Sequence, residues 1–193
     1  MPEHSLQQQS YDQHIGMLRA IIADDHFGGQ MSSKIVDAWL EGLKPSSRIP
    51  LPPEVQGFYG GSVKASLPIE VARASYKFIA HETTDKEKVA KYALRMLVAL
   101  SVLDIDQVAQ DEPNLAALAL WHKALALVRL PDSVDRLADT FRRYEEVRPR
   151  SNLSDSKLPQ PERLKTRLHS VAEDLENTSA SKWLGNWRPK DSG

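Results

Sequence analysis

Residues 83–103 read TTDKEKVAKYALRMLVALSVL, and the fold turns on how this stretch is understood. Thr84 stands three residues before Glu87. That is the spacing of a capping box, in which two side chains satisfy the free N–H groups of a helix start. From Met96 to Leu103 every residue except Ser101 is apolar. A helix apolar on nearly every side is usually buried on every side, so this segment is expected to be the central helix of an all-α fold. Its densest part, YALRMLVALSVL (92–103), includes Arg95 and falls short of the roughly 18 apolar residues needed to span a membrane.

Helical spacing continues on both sides. SLPIEVARASYKFIAHE (66–82) offers Ser66 as a cap, with Pro68 tolerated in the first turn. DEPNLAALALWHKALALVRL (111–130) offers Asp111 as a cap and Pro113 near the start. PDSVDRLADTFRRYEEV (131–147), starting from Asp132 or Ser133, sets Val134, Leu137, Phe141 and Tyr144 on one stripe. PERLKTRLHSVAEDLEN (161–177) does the same with Leu164, Leu168, Val171 and Leu175. Near the N-terminus, SYDQ (10–13) has Ser-x-x-Gln spacing before the stripe Tyr11, Ile15, Leu18 and Ile22. A further short helix is expected after Ser32 or Ser33, with Ile35, Val36, Trp39, Leu40 and Leu43 on one face.

No run alternates apolar and polar residues as a half-buried strand does, and no fixed-period repeat is present. The expected fold is therefore all-α, an irregular bundle of about seven helices with a buried central helix and flexible termini. The expected layout is a disordered N-terminus at 1–9 and a helical domain at 10–147. Four prolines and three glycines make a long loop of residues 44–62 within that domain. A polar linker at 148–160, an amphipathic helix at 161–177 and a tryptophan-containing tail at 178–193 complete the chain.

Composition excludes several chemistries. Without cysteine there are no disulfides, thiol nucleophiles, thiolate zinc sites or iron–sulfur clusters. The 25 basic and 26 acidic residues leave a net charge of −1, which gives no global attraction to nucleic acid or to an anionic membrane. Locally, residues 64–95 carry seven basic and four acidic groups, and residues 1–62 carry four and seven. The opening MPEHSLQQQS has neither the basic nor the apolar region of a signal peptide, so a soluble, cytoplasmic protein is expected.

Candidate sites are few. Gly28-Gly29-Gln30 resembles the tripeptide of class I peptide-release factors, which would imply water-mediated ester hydrolysis at these residues. The resemblance covers three residues, and the amphipathic segment after it departs from that family's mixed α/β continuation. Gly28 and Gly29 are read instead as the stop between two helices. The six histidines include no pair at the i, i+4 spacing of zinc proteases. His26 in DDHF (24–27) and the acidic DID (104–106) are the nearest approaches to a cation site, and no metal is expected at either. His122 falls on the stripe Leu115, Leu118, His122, Leu125 and is read as a core histidine with one hydrogen bond. No nucleophile elbow, phosphate loop or dinucleotide fingerprint occurs. No catalytic residue, metal ligand or cofactor is assigned.

Two binding readings remain. In the first, the protein is a non-enzymatic regulator, adaptor or assembly subunit that docks on another protein. Its anchor is the tail, with Trp183, Leu184, Trp187 and Arg188, because tryptophan and arginine dominate binding hot spots. The competing reading of that tail is that it folds back onto its own domain. In the second, Arg73, Lys77, Lys88, Lys91 and Arg95 form a basic face for nucleic acid, on two helices joined by a turn at HETT (81–84). A homo-oligomer is compatible with either.

Overall fold

The computed structural model describes residues 63–190, with side chains from Ala65 onward. The two expected N-terminal helices, the loop at 44–62, Gly28-Gly29-Gln30 and DDHF lie outside the described residues. Within them the protein is all-α: seven α-helices, one short 3-10 helix and no strand. In order they are α1 (Val63–Lys77), α2 (Lys86–Leu100), α3 (Ile105–Asp111), α4 (Pro113–Leu127), α5 (Val134–Val147), the 3-10 turn Arg148–Arg150, α6 (Pro161–Asp174) and α7 (Thr178–Asn186).

A buried helix does occupy the centre, but it is α4 rather than the segment 84–103. Helix α4 packs against α1, α2, α3, α5 and α6. Leu115 to Leu120, His122 and Ala124 to Leu127 are all buried. Its alternation of leucine with alanine explains the position, since alanines let neighbouring helices approach on every side while leucines fill the spaces between. Helix α2 is amphipathic. Val89, Tyr92, Ala93, Met96, Ala99 and Leu100 face the core, whereas Leu94, Val98 and Val102 point to solvent. Apolar residues on all sides of α2 therefore mark one covered face and one uncovered face.

Helix starts differ from expectation for local reasons. Asp85, not Thr84, caps α2, its side chain accepting from the Lys88 N–H. Thr84 instead belongs to a turn organised by Glu82, whose Oε1 accepts from the Thr84 N–H, the Thr84 hydroxyl and the Asp85 N–H. Those bonds hold the Glu82 carboxyl down at about 2, the Asp85 N–H contributing most. Helix α1 begins three residues before Ser66, so Pro68 lies inside it and Ser66 is buried rather than capping. The span 105–127 is two helices, because Pro113 lacks an N–H and drives Glu112 out of helical geometry to φ −139°, ψ 70°. Asp104 caps α3 through the Gln107 N–H. In DID, one acidic residue is thus a cap and the other, Asp106, pairs with Arg143.

The span 148–160 is a packed loop, not a free linker. Arg148 is buried and donates to the carbonyls of Leu153, Leu158 and Pro159 and to Asp155 Oδ1. The Tyr144 hydroxyl also donates to Pro159 O, and Leu158 is fully buried. The reason is chemical: one guanidinium satisfies a cluster of loop carbonyls that would otherwise lack donors. After α6 the chain turns at Glu176, which has φ 58°, and Asn177 caps α7. The Asn177 amide donates to the carbonyls of Val128 and Leu130 and so ties the α6–α7 corner to the end of α4.

Candidate functional site

The C-terminal segment folds back onto its own domain. Leu184 is fully buried, and Trp183 and Trp187 are half-buried with their rings edge-on to Phe141 at 5.9 and 5.2 Å. Arg188 is exposed, and its guanidinium donates to the carbonyls of Gly185 and Trp187. Lys190 Nζ lies 3.5 Å from Glu146 on α5. Of the four residues proposed as a partner anchor, one is core, two cover the core and one secures its own chain end.

The basic residues are distributed differently. Lys91 and Arg95 come together over the Tyr92 ring, 5.8 and 4.7 Å from its centroid, and Tyr92 in turn stacks on Phe78. Lys88 lies one turn earlier on α2. Arg73 is close enough to His122 to lower its pKa, and Arg73, Lys77 and Arg95 each have further contacts of their own. The connection between α1 and α2 runs over residues 78–85, longer than the three or four residues that join a helix-turn-helix pair.

A different surface is apolar and uncovered. Leu94, Val98 and Val102, spaced by four residues along α2 and its terminal turn, are 53%, 50% and 44% exposed. They are the exposed large apolar side chains among the described residues. Beside them a cavity of about 290 Å³ opens where α2, α3, α4 and α5 meet. Leu97, Leu100, Leu103 and Ile105 give it an apolar wall, and Lys123, Arg136 and Arg143 line it together with Asp104 and Asp106. Arg143 is paired with Asp106. Among the described residues, Lys123 and Arg136 form no ion pair or hydrogen bond. Burial lowers the pKa of the Lys123 ammonium, and the charges of Arg136 and Arg143 lower it further. The Asp139 carboxylate raises it in part, so Lys123 stands among two guanidiniums and a weaker carboxylate influence.

The sequence held one signal for this cavity. Lys123 is the lone charge within ALALWHKALALV, and a charge inside a buried helix needs somewhere to go. Its partners Arg136 and Arg143 come from another helix and could not be matched to it by spacing.

His122 is a core histidine. It is buried, and its Nδ1 lies 2.7 Å from Leu118 O. A carbonyl only accepts, so Nδ1 carries the proton. Burial, with the charge of Arg73, lowers its pKa to about 3 and leaves the ring neutral. Among the described residues no His, Asp and Glu cluster could hold a metal ion, and no helix is long and apolar enough to cross a membrane. Set against known protein families, curated proteins and solved structures, the chain matches none.

Proposed function

We propose that the protein works by docking on another protein, as a non-enzymatic regulator, adaptor or assembly subunit. The docking surface is the Leu94–Val98–Val102 stripe with the adjoining cavity, at the Lys123 and Arg136 side of its lining. The observation that carries this reading is the juxtaposition of uncovered apolar side chains with a half-buried Lys123 that has no ion pair among the described residues. An amphipathic helix bearing an acidic residue has the matching chemistry. Its apolar face covers the stripe, and its carboxylate meets Lys123 and Arg136. The tryptophans of α7 support this surface from within the fold, as part of the domain that holds α5 in place.

The test is Val98→Asp in the full chain. Val98 is half exposed, so the substitution should leave the thermal melt within a degree or two. It should abolish binding to a partner whose contact segment is apolar and acidic. Lys123→Ala should weaken that binding by tenfold or more and reduce its dependence on salt. A partner held equally well by both variants would show that this face is not the docking site.

A further inference from the structure

We propose that the chain also carries an oxyanion site, suited to a phosphoryl group, where Arg129 and Arg167 converge on Tyr76. This corner lies where the ends of α1 and α4 meet α6, and it shares no residue with the docking face. Arg129 is only 7% exposed. Its guanidinium carbon lies 5.1 Å from the centre of the Tyr76 ring, and that of Arg167 lies 5.7 Å from the same centre. Arg167 donates to the Tyr76 hydroxyl. Arg129 donates to Leu125 O at 2.7 Å, while its buried Nε has no hydrogen-bond partner.

Neither guanidinium forms an ion pair with a described carboxylate. On α6 the positions three and four residues from Arg167 are Arg163, Leu164, Ser170 and Val171, none of them acidic. The nearby charges compound the deficit. Burial lowers the pKa of Arg129, Tyr76 offsets part of that, and Arg167 lowers it again; Arg73 and Arg167 both lower that of the neutral His122. A buried cation without a counter-charge is strongly unfavourable, and here a phenol oxygen stands where an anion would serve better. Two guanidiniums, one from the turn after α4 and one from α6, call for an acceptor with oxygens in several directions. A phosphoryl group offers three, whereas a carboxylate is filled by a single fork.

The experiment is calorimetric titration of the full chain with inorganic phosphate, against sodium chloride of equal ionic strength, with acetate and phenyl phosphate as further probes. The expected result is saturable uptake of one phosphate per chain, weakened tenfold or more in Arg167→Gln and also in acetate. Phenyl phosphate binding tighter than phosphate would assign the site to a phosphomonoester, and equal binding to free phosphate. Arg167 is exposed, so its variant folds even if Arg129→Gln does not. No saturable phosphate binding, binding that Arg167→Gln leaves unchanged, or acetate binding as tight as phosphate would overturn the proposal.

Discussion

His122 shows how one buried side chain sets a response of the whole protein. Its pKa is about 3 in the fold, against an ordinary value of 6.5. The unfolded chain therefore takes up a proton that the folded chain refuses. The sign follows from linkage: this stabilisation is complete above pH 6.5 and is lost as pH falls from there toward 3. The expected slope from this one group is about 1.4 kcal/mol per pH unit. His122→Gln keeps a donor for Leu118 O and removes the titration. Chemical denaturation from pH 7 to pH 4 should show wild type losing stability relative to the variant across this window. Parallel curves would mean that His122 is hydrated or protonated in the fold. Glu176 makes a second prediction at this scale. Its φ of 58° lies in the left-handed region that glycine adopts without cost. Its contact with Lys86 joins two well-exposed side chains and contributes little. Glu176→Gly should raise stability by a few tenths to about 1 kcal/mol in urea denaturation.

Among the elements, legibility followed length and periodicity. Helices α1, α2, α4, α5 and α6 were expected within a few residues because each carries an apolar stripe over several turns. Helix α3 was not, since seven residues give too few turns for a period to show. Helix α7 was legible only as one of two readings of the tail, the one in which it folds back onto its own domain. Ala180, Trp183, Leu184 and Trp187 have the i, i+3, i+4, i+7 spacing of a buried helix face. Gly185, Pro189 and the charged residues around them gave the segment the look of a tail. The structure makes it a core element, with Ala180 and Leu184 buried and both indoles on Phe141. Leu184→Ala should therefore cost about 2–5 kcal/mol, as removal of a buried leucine does. A loss of less than half a kcal/mol in thermal or urea denaturation would return α7 to the surface.

Across the whole molecule, the all-α class was legible and the identity of its centre was not. Both α2 and α4 are rich in apolar residues. Which of them is enclosed depends on how many neighbours pack around each, a tertiary fact that no local pattern encodes. The difference bears on the proposed docking face. Because α4 takes the centre, α2 lies at the edge with an apolar face uncovered, and its outer stripe adjoins a cavity whose lysine has no ion pair among the described residues. The charges that line that cavity come from α4, α5 and the start of α3, so their meeting becomes visible only after folding. The measurement that tests this account most directly is site-specific photocrosslinking, with a benzophenone side chain placed at Val98 of the full chain. The account predicts a single heterologous product that joins Val98 to an apolar, acidic segment of another protein and disappears in Lys123→Ala. Crosslinks only to residues 1–62 of the same chain, or only to a second copy, would contradict it.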